Sequence, residues 1–277
     1  MMNGDTKLIA HVGYPTTTFK SSMIYNPWFD GHGINAAVVP LGVTSENFSQ
    51  AFPEICRFTN FYGALVTMPH KVSVIALLDE VSTAVKVAGS CNAVRRNEHG
   101  RLVGDMFDGE GFVRGMAHNG RSIKGKTLLV VGSGGVGSAI AASAAAAGAA
   151  EIAVYDVNAA SMEALAGRLR QNHPRLKVSM GSNDPAAFDV VVNATPLGMK
   201  AGDPMPLDPS RLSPSTYVGE VVMKHETTAF LAAAQARGCA TQIGIEMLFE
   251  QIPAYLEFFG FPATTASELR EIAQVDY

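Results

Sequence analysis

Cysteine, surplus basic charge and long apolar runs are all scarce in this chain, and each scarcity removes a class of protein. The three cysteines, Cys56, Cys91 and Cys239, are scattered. They form no metal or redox spacing and suit a reducing cytoplasm rather than a disulfide scaffold; no metal site is expected. A net charge of −4 over 277 residues leaves no basic excess for nucleic acid. No run is long and apolar enough for a bilayer, the most apolar stretch, Ala139 to Ala150, being alanine and glycine. The N-terminus lacks a basic region followed by an apolar core, so a cytoplasmic protein is expected. Repeats and low-complexity linkers are missing too. The seven histidines, His11, His32, His70, His99, His118, His173 and His225, are scattered, with no carboxylate at an obvious orienting distance. What remains, 47% hydrophobic and 17% charged, is an ordinary globular composition, long enough for one large or two moderate domains.

The most informative stretch runs from Lys126 to Gly137. A run of β-formers, Thr127-Leu128-Leu129-Val130-Val131, feeds Gly132-Ser133-Gly134-Gly135-Val136-Gly137, and a strongly helical segment, Ser138 to Ala147, follows. Strand, glycine turn and helix with G-x-G-x-x-G spacing make a dinucleotide-binding fingerprint. Gly132 suits the tight turn, Gly134 a close approach to pyrophosphate, and Gly137 close helix–strand packing. The helix N-terminus offers N–H groups and partial positive charge to a phosphate. A second strand, Glu151 to Tyr155, ends in Asp156, where such folds put the carboxylate that binds the adenosine ribose hydroxyls. An Asp at a strand end can also simply turn the chain. As a ligand it would repel a 2′-phosphate, and no arginine follows until Arg168, so NAD is expected ahead of NADP.

Around this unit the chain alternates β and α. Expected strands are 8–13, 34–40, 63–68, 89–94 and 102–104, with helices near 23–30, 45–58, 70–78 and 80–87. A connector helix from Asp108 to about His118 leads into strands 126–131, 151–156, 177–180, 188–194, 217–222 and 240–243, and helices 159–171 and 227–237. Helices 246–259 and 265–274 end the chain. The expected fold is therefore α/β: an N-terminal α/β substrate domain with a mainly parallel open sheet, residues 1–107, and a C-terminal Rossmann NAD(P)-binding domain, residues 108–244. A cleft lies between them, and the helices of 245–277 pack back onto the first domain.

A dehydrogenase needs a group that moves a proton while hydride moves. Lys71 follows a strand ending in Thr67-Met68-Pro69, at the carboxyl edge of a parallel sheet, where ligands bind. By default such a lysine is a solvated surface residue. Asp108 reads equally as the N-cap of the connector helix or as an acid facing the expected cleft. A lysine–aspartate pair there would hold the ammonium ready to protonate a carbonyl oxygen.

At this point the chain resembles the shikimate dehydrogenases. The resemblance rests on Gly13-Tyr14-Pro15, Val66-Thr67-Met68-Pro69-His70-Lys71, Ala88-Gly89-Ser90-Cys91-Asn92-Ala93-Val94, Gly104-Asp105-Met106-Phe107-Asp108-Gly109 and Asn193-Ala194-Thr195-Pro196-Leu197-Gly198-Met199, in family order over nearly the whole chain. It implies reversible reduction of a cyclic keto acid of the 3-dehydroshikimate type with a nicotinamide cofactor. Lys71 and Asp108 match the catalytic pair. Ser21, Thr67, Asn92 and Gln251 match substrate-binding positions, and Asn193, Ala194 and Thr195 join the cofactor site. The implied partner is a small cyclic hydroxy or keto acid, with no nucleic acid or membrane, and the protein is expected as a monomer or homodimer.

Several positions depart from the family pattern. Of the two serines that hold the substrate carboxylate only Ser21 remains, Phe19 standing for the other. Leu65 replaces an asparagine, Met106-Phe107 an Asn-Thr pair, Met223 a tyrosine and Glu246 a glycine. Each lost hydrogen bond to a carboxylate is worth roughly 1.5–3 kcal/mol. The segment Tyr155-Asp156-Val157-Asn158 resembles the NAD-preferring quinate/shikimate branch. Three readings stand: a shikimate- or quinate-type dehydrogenase, a nucleotide-binding regulator or sensor with little catalysis, and an NAD-dependent dehydrogenase of an unrelated substrate.

Overall fold

Alternating β and α segments build two separate six-stranded sheets among the described residues, 2–274, of the computed structural model. Each sheet belongs to its own compact unit. One unit comprises the described residues up to Val85, Ser90–Phe107 and the chain from Ile252 onward; the other comprises Lys86–Gly89 and Asp108–Gln251.

The first unit contains β1 (Lys7–Gly13), α1 (Ser22–Gly31), β2 (Ala36–Gly42), α2 (Ser45–Cys56), β3 (Phe61–Val66), β4 (Glu80–Val81), the start of α3 (Thr83–Ala88), β5 (Ala93–Arg96) and β6 (Leu102–Asp105). Its strand order is β2-β1-β3-β5-β6-β4. β1 pairs in parallel with β2 and β3, and β4 with β6, while β5 runs antiparallel to both its neighbours. The carboxyl ends of β1, β2 and β3 therefore share one edge. Tyr25, Trp28 and Phe29 of α1 are fully buried, and Phe29 packs on Phe261 at 5.0 Å.

The segment 70–78, expected as a helix, folds otherwise, and the helix expected over 80–87 starts only at Thr83. Lys71 sits in a turn, 73–77 is a short 3-10 helix, and Glu80–Val81 is a strand. Pro69 supplies no N–H, and Val72, Val74 and Ile75 are weak helix formers. Few residues separate them from the β4–β6 pairing, too few to repay helix nucleation.

The second unit contains α4 (Asp108–His118), β7 (Thr127–Val131), α5 (Gly135–Ala146), β8 (Glu151–Tyr155), α6 (Ala159–Asn172), β9 (Lys177–Met180), β10 (Val190–Asn193), β11 (Tyr217–Glu220), α7 (Ala229–Ala236), β12 (Ala240–Gln242) and α8 (Gly244–Phe258) as far as Gln251. Its order, β12-β11-β10-β7-β8-β9, is parallel throughout. The direction of winding reverses between β7 and β10, the place where doubly wound sheets bind ligands. Side chains help to start α6 and α7: Asn158 accepts from Ser161 N and Thr228 from Leu231 N. The rest of α8 and α9 (Ala266–Ile272) belong to the first unit.

Two features of the second unit bear on stability. α4 meets α5 at Gly109, where a Cβ would strike the Ala139 carbonyl and come within 2.5 Å of Ser143 Oγ. At the end of β11, Glu220 is fully buried and accepts from Thr228 Oγ1 at 2.8 Å. Burial raises its carboxyl to about 7, offset only in part by hydrogen bonding. The three cysteines are buried; burial pushes Cys56 and Cys91 up to about 12 and also raises Cys239. No helix of the described residues is long and apolar enough to cross a membrane.

Gly109→Ala should cost about 1–3 kcal/mol despite alanine's better helix propensity, because a backbone carbonyl cannot rotate aside. A thermal melt with an unchanged midpoint would show that α4 and α5 can part. For Glu220, the folded state holds a proton between its ordinary 4.5 and about 7 that the unfolded chain releases. Its contribution is thus complete below the unfolded value and is lost as pH rises through that window, on the order of 3 kcal/mol in all. Denaturant melts between about pH 5 and about pH 8 should therefore lose stability in the wild type, and Glu220→Gln should flatten that part of the profile.

Candidate active site

In the second unit the site begins where β7 runs out. Gly132 takes a φ of 105°, and a Cβ there would lie 2.8 Å from the Ala194 carbonyl carbon. α5 begins at Gly135, earlier than Ser138, because Gly137 can then sit directly on the Gly132 carbonyl, where any side chain would collide. Glycine's poor propensity hides such a start, and close packing pays for it. Around Gly134 nothing lies within 4 Å of a would-be Cβ, leaving that side of the loop open. The first turn of α5, including Val136, directs its N–H groups out of the helix end.

Asp156, just past β8, is tied to this loop. Its Oδ2 accepts from Ser133 N at 2.6 Å and Ser133 Oγ at 2.8 Å, and its Oδ1 from Asn158 N at 2.8 Å. Partial burial works against the charged carboxylate, but the bonds from Asn158 and Ser133 outweigh it and hold the pKa below the usual value. Arg168, the first arginine after Asp156, is committed elsewhere: its Nε donates to Val87 O at 2.8 Å and its Nη2 to Ala88 O at 2.9 Å.

Asn193 ends β10 between Val131 and Glu220 and is fully buried. Its Oδ1 accepts from Thr195 N and Oγ1 at 3.1 and 2.6 Å, and its Nδ2 donates to Leu197 O at 3.0 Å. The side chain thus folds the turn that brings Ala194 and Thr195 against Gly132. Asp108, 4% exposed, opens α4, whose Gly109 rests on Ala139 of α5 and whose Gly111 rests on Met247 and Gln251 of α8. These contacts gather Asp108, Gln251 and the glycine loop into one unit.

The remaining residues belong to the first unit. Lys71, half-buried, is fixed through its backbone, its carbonyl accepting from Cys91 N at 2.7 Å. Its neighbour His70 is buried, donates from Nε2 to Val43 O at 2.7 Å, and stacks on Phe48 at 3.9 Å. Thr67 N bonds Val12 O at 2.9 Å, and Ser21 is buried just before α1. Asn92 is 1% exposed; its Oδ1 accepts from Phe107 N at 2.9 Å, while Nδ2 has no partner among the described residues. Phe19, Leu65, Met106 and Phe107, which stand where the family pattern is polar, are all buried.

Sequence reading missed several anchors. His32 lies 3.1 Å from Glu268 and His118 lies 3.5 Å from Glu250, so carboxylates do reach histidines, from elements distant in the chain. His70 and Glu220 gave no sequence signal beyond adjacency to Lys71 and a strand end. His11, central in β1, is buried and stacked on Phe19 at 4.0 Å.

The profile of the shikimate dehydrogenase substrate binding domain matches residues 12–94. The shikimate dehydrogenase (NADP(+)) of Rubrobacter xylanophilus is 34% identical over 254 residues, covering 90% of this chain and 89% of its own. Among solved structures, shikimate 5-dehydrogenase from Listeria monocytogenes, in complex with shikimate and NAD, superposes with a TM-score of 0.89 at 26% identity, covering 98% of this chain and 97% of that one. Quinate dehydrogenase from Corynebacterium glutamicum, in complex with NAD, gives 0.85 at 28% identity, covering 96% and 98%. With similarity sustained over nearly the full length of both partners, this chain belongs to the shikimate dehydrogenase family.

Proposed function

We propose that the protein is an NAD-preferring dehydrogenase that interconverts the ring hydroxyl and ketone of shikimate, quinate or a closely related cyclic hydroxy acid. The observation that carries this reading is the retention of Lys71 and Asp108 in a chain whose glycine loop is complete and whose relatives bind shikimate and NAD. The nicotinamide cofactor supplies hydride to the carbonyl carbon. Lys71 manages the proton: its ammonium donates to the carbonyl oxygen in reduction, and its neutral amine takes the hydroxyl proton in oxidation. Asp108 is its orienting partner. Ser21, Thr67, Asn92 and Gln251 bind the ring substituents.

The glycine loop fits a dinucleotide through the N–H groups at the start of α5 and the open space at Gly134. Asp156 fits the adenosine ribose diol, being already ionised and held by Ser133. Rubrobacter's enzyme is named for NADP(+), but here a 2′-phosphate would face the Asp156 carboxylate with Arg168 tied to the Val87 and Ala88 carbonyls. The buried apolar residues at Phe19, Leu65, Met106 and Phe107 favour a second reading, a nucleotide-binding regulator with weak catalysis. Turnover separates the two.

Lys71→Ala should lower kcat by about 10²–10⁴-fold on the best cyclic hydroxy acid while the NAD dissociation constant stays unchanged. A variant with wild-type turnover would remove Lys71 from the chemistry. Wild-type kcat/KM should favour NAD over NADP by at least about tenfold, and Asp156→Ala should bring the two within a few-fold. A wild type that prefers NADP would overturn the role given to Asp156.

A further inference from the structure

The first unit holds a buried imidazole, His11, that the proposed chemistry does not use. His11 lies two residues before the end of β1, at the edge from which Lys71 emerges after β3. It pairs laterally with Leu65, so the two side chains project from the same face of the sheet. Only 6% of the residue is exposed, and its Nδ1 has no hydrogen-bond partner among the described residues. Ile9 and Val12 of the same strand are apolar, and either kind of residue would fill this space without stranding a polar atom. Phe19 stacks on the ring at 4.0 Å and 23°. The same Phe19 reaches to 2.9 Å from the position of a Cβ on Gly13, beside Thr67. His11, Phe19, Gly13 and Thr67 therefore form one cluster, and Thr67 stands four residues before Lys71.

Resting on the dehydrogenase reading above, we propose that His11 is a substrate-binding residue of the Lys71 site, its Nδ1 exchanging a hydrogen bond with a ring hydroxyl of the substrate. Phe19 is the cover. It belongs to no helix or strand, lying between the 3-10 turn Thr16–Thr18 and α1, and its ring swings off His11 when substrate enters. A hydroxyl suits this group better than a carboxylate does. Burial, reinforced by the Lys71 ammonium, lowers the imidazole to about 3, so the ring is neutral at working pH. One nitrogen of a neutral imidazole donates and the other accepts, and a hydroxyl, being both donor and acceptor, satisfies Nδ1 in either tautomer. A carboxylate would accept only and would gain no charge from the ring. Every buried polar atom without a partner costs stability, and a ligand that completes it recovers that cost on binding.

The test compares wild type, His11→Phe and His11→Gln with shikimate and quinate. For His11→Phe the expected result is a KM raised at least about tenfold, with kcat within about threefold and the NAD dissociation constant unchanged. Its melting temperature should be equal to or above that of the wild type, because the stranded atom is gone. His11→Gln should recover part of the KM. In wild-type protein the ¹⁵N resonance of His11 Nδ1 should shift on saturation with substrate but not with NAD alone, a readout that needs no variant to fold. An unchanged KM in folded His11→Phe, or a resonance that ignores substrate, makes His11 a core residue only. Wild type inert toward every cyclic hydroxy acid overturns the dehydrogenase reading and this inference with it; an active wild type with an unaffected His11→Phe overturns this inference alone.

Discussion

Backbone lies directly on backbone at the junction of β7, α5 and β10, and the second unit depends on that contact. A Cβ on Gly137 would occupy the Gly132 carbonyl, and one on Gly132 would occupy the turn at Ala194. With no side chain between them, helix and sheet close up to a distance that other residues forbid. The loop is then short enough for Ser133 to hold Asp156 with two hydrogen bonds. The turn after β10 is positioned by the internal bonds of Asn193. Gly109 continues the same logic outward, bringing α4 and its first residue Asp108 onto α5.

The first unit fixes Lys71 differently. Lys71 lies in a turn, and immobility comes from what flanks it. The Lys71 carbonyl is bound by Cys91 N, and His70 is locked by the Val43 carbonyl and the Phe48 ring. Such anchoring holds the Lys71 backbone in place. Phe19, Leu65, Met106 and Phe107, apolar where the family pattern is polar, are all buried.

Both sheets and the family were legible because their signals are local. β-Former runs, glycine spacing and the Asp after β8 all lie within a few dozen residues, and the helix expected from Asp108 to about His118 is α4, Asp108–His118. Errors arose where local preference lost to distant partners. The segment 80–87 carries helical spacing, yet Glu80 and Val81 pair with β6. The start of α5 was read late because glycine counts against a helix in isolation and for it in this packing. Histidine partners were invisible for the same reason: Glu268 and Glu250 arrive from α9 and α8. His11 looked like an ordinary strand residue; only the sheet register and the missing partner of Nδ1 distinguish it.

The buried cysteines have a practical meaning. Thiol-directed reagents attack the thiolate, and burial both shields Cys56, Cys91 and Cys239 and keeps their protons on at neutral pH. The native chain is thus a chemically quiet background. A single cysteine introduced on an exposed position, such as Val157 beside Asp156 or Val72 beside Lys71, would be the reactive thiol for attaching a fluorophore or spin label. Either unit could then be followed during ligand binding with no native cysteine first removed.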